Sequence, residues 1–79
     1  MARRNVQLTK RFGHVLRARR SALGLSQEAL AHEAELTASF IAQIENGLTS
    51  PSLSTLAALA KALNTTAAAL VEEAERSST

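Results

Sequence analysis

Apolar residues recur along this chain at helical rather than strand spacing. Leu8, Phe12, Val15, Leu16 and Leu23 advance by four, three, one and seven positions, which lays one stripe along a helix over 7–23. Lys10, Arg11 and Arg17 fall off that stripe, and Gly13 weakens the helix by about 1 kcal/mol relative to Ala. Gly24 then ends it in a left-handed cap, with Leu25 as the apolar contact behind the cap. A second segment opens on Ser26 as N-cap and gathers Leu30, Ala31 and Ala34 on one face. After a polar break at Glu35-Leu36-Thr37, a third is capped by Thr37, aligns Leu36, Phe40, Ile41 and Ile44, and stops at Asn46-Gly47. Ser52 caps a fourth helix over 53–63, with Leu53, Leu56, Ala57, Leu59, Ala60 and Leu63 as its stripe and Asn64 in the left-handed cap. Thr65 or Thr66 caps a fifth over 67–75 carrying Leu70 and Val71, and the tail 76–79 reads as frayed. Period-two runs of β-branched residues are missing, so the pattern predicts an all-α fold of five helices.

The centre of the chain is the pair of short helices within 26–47. Neither stands alone in water, because nucleating a helix costs more than its few internal hydrogen bonds return. They must pack on each other, with Ala31 at the crossing point, where only a small side chain fits. Ile41 and Ile44 then face inward and Ala38, Ser39, Ala42 and Gln43 face outward. Such a surface is slim, hydrogen-bonding and free of acid, which is what the major groove of DNA accepts.

Composition narrows the picture. With 46% hydrophobic residues but two Phe and no Tyr or Trp, the core must be built from Leu, Ile, Val and Ala, which favours closely packed helices. The 79 residues are read as one domain, and the absence of Cys removes disulfides, thiolate metal sites and Cys nucleophiles. No apolar run approaches the roughly 20 residues that span a bilayer, and no signal-peptide pattern appears, so a soluble, cytoplasmic protein without membrane association is expected. The formal charge of +2 hides a split: 1–27 holds seven basic residues and no acid, while 28–79 holds two basic residues against seven Glu. That asymmetry fits a polyanionic partner, or a solvated basic helix followed by an acidic tail. Residues 1–6, with Arg3 and Arg4, read as a flexible basic arm able to reach phosphates or a minor groove, or as disorder with no role. Catalysis finds no support. The chain has no Asp, His14 and His32 sit on separate helices without ligand-spaced partners, Glu72, Glu73 and Glu75 read as a solvated face, and no Gly-rich phosphate loop occurs. No enzyme activity, metal or cofactor is expected.

The run LGLSQEALAHEAELTASFIAQIENG, followed by SPSLSTLAALAKAL, resembles the Cro/repressor-type helix-turn-helix family, also called xenobiotic-response-element or lambda-repressor-like, over residues 12–71. The motifs that carry the resemblance are L-G-L-S-Q-x-x-L-A, I-x-x-I-E-N-G and P-S-L-x-T-L. It implies a five-helix DNA-binding domain over 1–79, with the helix-turn-helix at 26–46, in a sequence-specific transcriptional regulator. Base-edge contacts would come from Thr37, Ala38, Ser39, Ala42 and Gln43, since Gln pairs bidentately with adenine and Ala touches a thymine methyl. Phosphate contacts would come from Arg11, Arg17, Ser26, Gln27, Asn46, Thr49, Ser50 and Ser52. The resemblance also implies a partly buried ion pair between Arg20 and Glu45, against the plainer reading of Arg20 as an exposed side chain. The family usually has Gly where this chain has Glu35, so a left-handed turn there costs about 1 kcal/mol. A homodimer on a palindromic site is expected, because one helix poor in long side chains reads few bases. Its interface is expected on the fifth helix, 66–75, through Leu70, Val71 and Ala74. Leu70 and Val71 point about 100° apart and cannot both face the core. The alternative on the same scaffold is a protein-binding module, an antitoxin or adaptor whose partner is a protein such as a toxin.

Overall fold

Helix starts expose backbone N–H groups that have no partner within the helix, and one short polar side chain satisfies each start here. Asn5, Ser26, Thr37, Ser52 and Thr66 each accept a hydrogen bond from the N–H three residues on, and each sits in extended backbone. In the computed structural model, which describes residues 5–77, these caps open α1 (Val6–Ala22), α2 (Gln27–Ala34), α3 (Ala38–Glu45), α4 (Leu53–Ala62) and α5 (Ala67–Arg76). Among the described residues there is no strand. Arg3 and Arg4 of the expected basic arm lie outside the described residues, whereas Asn5 and Val6 belong to α1 as its cap and first turn. Arg76, expected in a frayed tail, is the last residue of α5.

Four helices end the same way. Gly24, Glu35, Gly47 and Asn64 take positive φ of 70, 58, 72 and 61°. The next N–H in each case reaches back to a carbonyl in the helix: Leu25 to Arg20, Leu36 to Ala31, Leu48 to Gln43, and Thr65 to Ala60, at 2.8–3.1 Å. Glu35 therefore keeps the tight turn that Gly makes in the family, and the strain does not change its shape.

Those stops turn the chain so that all five helices share one core. Leu16, Leu30, Ile41, Ile44, Leu59 and Leu70 are fully buried, and every helix contributes at least one of them. Each such side chain contributes roughly 1.5–3 kcal/mol relative to exposure. α1 packs on α3 and α5, α2 on α3 and α4, and α4 on α5, across a 98° bend between the last two. The α1–α3 contact is backbone to backbone at Gly13. A Cβ built there would lie 2.5 Å from the Ile44 carbonyl oxygen and 2.7 Å from that of Glu45. Gly13 is therefore the residue that lets α1 lie against the end of α3, rather than a simple weak point in α1.

The apolar stripes run past the core at their ends. Leu23 is 52% exposed and Leu53 85% exposed, and Ala57 is exposed as well. Leu23 follows the last residue of α1 and Leu53 is the first of α4, and neither end has a neighbouring helix to cover it. On α5, Leu70 and Ala74 are fully buried within the chain's own core, while Val71 is half-buried at its edge. Leu70 and Ala74, expected at a dimer interface, are thus enclosed by the chain's own core, with Ala74 also lining the open cavity beside Val71. Of the three, Val71 alone reaches solvent. Glu73 was expected on a solvated face. Its side chain stays partly exposed, but it also takes a two-pronged ion pair from Arg19, which ties α5 to α1.

Candidate nucleic-acid interface

α3 is two turns long, and its positions divide cleanly. Ile41, Ile44 and Glu45 are buried, Ser39 and Gln43 are exposed, and Ala38 and Ala42 are half-buried, Ala38 against the edge of the core. The outward strip is made of one hydroxyl, one amide and two methyl groups, with no acid on it. Thr37, just before it, spends a hydroxyl lone pair on the Phe40 N–H at 3.1 Å and keeps its O–H as a donor.

Glu45 is the buried exception, with its carboxylate fully enclosed. Three side chains from two other helices meet it. Arg20 donates through Nε to Oε2 at 2.7 Å and through Nη2 to Oε1 at 3.1 Å, and through Nη1 to the Leu25 carbonyl at 2.7 Å. Gln27 Nε2 donates to Oε1 at 3.0 Å, and Arg17 Nε to the same oxygen at 3.3 Å. Arg17 also donates through Nη2 to Asn46 Oδ1 at 3.4 Å. Burial alone would push the Glu45 carboxyl up. The hydrogen bonds from Arg20 and Gln27, the Arg20 charge and the Arg17 hydrogen bond outweigh it and hold the group below the ordinary carboxylate value. Arg20 is correspondingly held above the usual arginine value by its bond to Glu45. α1, α2 and α3 are thus joined at one ionised carboxylate.

Of the side chains expected to meet phosphates, only some lie at this hub. Arg17 is half-exposed and Arg20 is only 13% exposed, so Arg17 is the cation turned to solvent. Ser26 caps α2 through the Ala29 N–H at 3.0 Å, next to Gln27 in sequence. In the loop between α3 and α4, the Ser50 hydroxyl bonds the buried Thr9 of α1 at 2.8 Å, while Thr9 donates to the Asn5 carbonyl. Ser52 is spent within its own turn, accepting from the Thr55 N–H and donating to the Thr55 hydroxyl, each at 3.1 Å. Thr49 is half-buried, as is Arg11, which has a partner of its own. Lys10, which the sequence pattern did not single out, lies against Gly47 at the end of α3. A Lys at the same α1 face as Arg17 was the signal available for it. The structure therefore gathers Arg17, Gln27 and Asn46 around Glu45, sets Ser39 and Gln43 on the outer face of α3, and ties Ser50 separately to the start of α1. His14 and His32 are exposed, and among the described residues no group of His, Cys, Asp or Glu is placed to hold a metal ion.

Comparison with known proteins gives a consistent picture. No curated protein matches the sequence. Among solved structures it is similar to the clp gene regulator ClgR from Corynebacterium glutamicum, with a TM-score of 0.82 at 26% identity over 86% of this chain and 72% of that one. It is also similar to the restriction-modification controller protein C.AhdI from Aeromonas hydrophila, at 39% identity and a TM-score of 0.77 over 78% of this chain and 94% of that one. The competence regulator ComR from Streptococcus vestibularis matches at 32% identity and a TM-score of 0.77, over 82% of this chain but 22% of its own length. The helix-turn-helix family model HTH_3 matches residues 16–70, from the middle of α1 into α5. With five helices and α2–α3 as the helix-turn-helix, this chain belongs to the lambda-repressor-like helix-turn-helix family of DNA-binding transcriptional regulators.

Proposed function

We propose that this protein is a sequence-specific, DNA-binding transcriptional regulator of the cytoplasm, acting as a homodimer on a palindromic operator with α3 in the major groove. The observation that carries this reading is the outer strip of α3: exposed Ser39 and Gln43 between half-buried Ala38 and Ala42, on a helix whose one acid is turned inward. A groove lined by phosphates repels an acidic strip and accepts this one. Gln43 reads a base edge through its amide, Ser39 through its hydroxyl, and the two Ala offer methyl contacts to thymine. Arg11, Arg17, Ser26, Gln27, Asn46, Thr49, Ser50 and Ser52 hold the flanking phosphates, with Thr37 beside the bases.

Dimerisation uses the edge of α5 that the core leaves uncovered. Val71 lines an open apolar cavity of about 350 Å³ with Leu8, Phe12, Pro51 and Leu56, and a second copy would cover it. The similarity to a restriction-modification controller protein supports the regulator reading.

Selection from a random-sequence duplex pool tests the reading. The wild type enriches a two-fold symmetric motif with half-sites about 10–11 bp apart. The Gln43→Ala variant relaxes preference at particular base pairs by roughly 1–3 kcal/mol. A pool that enriches nothing, together with tight binding to a protein, replaces this reading with the adaptor or antitoxin one.

A further inference from the structure

Arg17 and Gln27 come from different helices, yet both donate to one oxygen, Oε1 of Glu45, at 3.3 and 3.0 Å. Glu45 does not need Arg17 for neutralisation. Arg20 already pairs with it through both carboxylate oxygens and is almost buried with it. Arg17 is therefore a second cation on a satisfied carboxylate, with a side chain that remains 54% exposed. It has five N–H donors and spends two, one on Glu45 and one on Asn46. Gln27 spends one of its two amide hydrogens on Glu45. Each keeps donors for a ligand, and each is drawn toward the same carboxylate oxygen.

Resting on the DNA-binding reading above, we infer that Glu45 is a positioning residue for the interface: its buried carboxylate fixes Arg17 and Gln27 side by side so that they grip one backbone phosphate as a unit. The gain is entropic. Holding long side chains in their bound rotamers before DNA arrives removes an ordering cost that is otherwise met on binding. The residue thus acts on DNA without touching it, through the two that do.

The test is a double-mutant cycle in DNA affinity, read by fluorescence anisotropy on the operator selected by the wild type, over a range of salt. Arg17→Ala alone is expected to lose about tenfold in affinity, as for a charge-assisted hydrogen bond, and to lower the salt slope by about one. In the Arg20→Met/Glu45→Met background, shown by its melt to be folded, Arg17→Ala is expected to lose less than about threefold, because the side chain is no longer held. An equal loss in both backgrounds overturns the inference, since Arg17 then acts without Glu45. Should the Met pair fail to fold, Arg17→Ala and Gln27→Ala are combined in the wild-type background. A double loss well below the product of the single losses supports the shared phosphate, and a simple product overturns it. A wild type that binds no duplex at low salt removes the DNA-binding reading and this inference together, whereas normal wild-type binding with an additive cycle removes only this one.

Discussion

Gly13→Ala separates intrinsic helix preference from tertiary packing, because the two act in opposite directions. In an isolated helix, Ala replaces Gly with a gain of about 1 kcal/mol. In the folded chain the new methyl carbon would lie 2.5 Å from the Ile44 oxygen and 2.7 Å from the Glu45 oxygen. Even favourable C–H contacts to a carbonyl oxygen keep the carbon about 3.3–3.6 Å away. Both obstructing atoms are backbone, so no rotamer change relieves the clash, and α1 must move off the end of α3 by several tenths of an ångström. A gap of that size forfeits a quarter or more of the dispersion energy of the contacts it opens, and it lengthens the bonds from Arg17 and Arg20 to Glu45. Over-packing of this kind costs typically 1–3 kcal/mol. Taking 2–3 kcal/mol for two backbone obstructions, and returning about 1 for propensity, the variant should be less stable by roughly 1–2 kcal/mol. For a domain this size that lowers Tm by about 5–15 °C. Urea denaturation followed by circular dichroism measures it, with a peptide covering α1 as the control. The peptide gains helicity on Gly13→Ala while the domain loses stability. A domain variant as stable as the wild type would refute the close-approach argument.

Further outcomes follow from the same geometry. Glu35→Gly should raise stability by about 0.5–1 kcal/mol, read from the urea midpoint, since Gly removes the steric cost at φ 58° and returns part of it as unfolded-chain entropy. Glu45→Ala should cost about 3–5 kcal/mol by leaving Arg20 buried and unpaired, while Arg20→Met/Glu45→Met should be nearly neutral; equal losses in thermal melts would show that the pair is not buried in solution. Stability should fall on acidification: Glu45 and Glu73 are both held below the ordinary 4.5, so their contribution is complete above that value and is lost as pH drops through their folded pKa. Urea midpoints between pH 7 and pH 3 would show it, and the Met pair should show a shallower decline. Gln43→Ala should leave stability unchanged while altering base preference, since the side chain is exposed and makes no bond within the described residues.

Helix starts and stops are legible in this sequence because they are short-range chemistry. A Ser or Thr three residues before an N–H, or a Gly, Asn or Glu where the chain must turn left-handed, needs no knowledge of the rest of the molecule. The start of α1 was less legible, since its cap Asn5 lies in what reads as a flexible arm, and of Thr65 and Thr66 it is Thr66 that caps α5. Stripe ends are less legible. Leu23 and Leu53 continue a helical period faithfully, but period reports which face an apolar residue occupies, not whether another helix lies over it. Gly13 shows the same limit more sharply: its two obstructing neighbours are at Ile44 and Glu45, and no local pattern links them.

The outward strip of α3 follows from helical phase alone. Of the charge network, the Arg20–Glu45 pair was implied by the family resemblance and is present, whereas the bonds from Arg17, Gln27 and Arg19 were not expected. On a two-turn helix, once Ile41 and Ile44 are assigned inward, the geometry of 3.6 residues per turn leaves Ser39 and Gln43 no other side. Glu45 follows Ile44 directly and lies close to the inward face, so it is buried by the same rotation, and a buried carboxylate must find cations. Arg17, Arg19 and Arg20 all lie near enough along α1 to be candidates, and helical phase separates them. Residues 17 and 20 are three apart and share a face, so both reach α3. Residue 19 is turned about 100° from residue 20 and meets Glu73 of α5 instead. One basic cluster thus serves two helices. Arg19 fastens α5, Arg20 fastens α3, and Arg17 shares the second carboxylate while facing solvent. The cost of burying Glu45 is already met by Arg20, which leaves the Arg17 charge available to an anion outside.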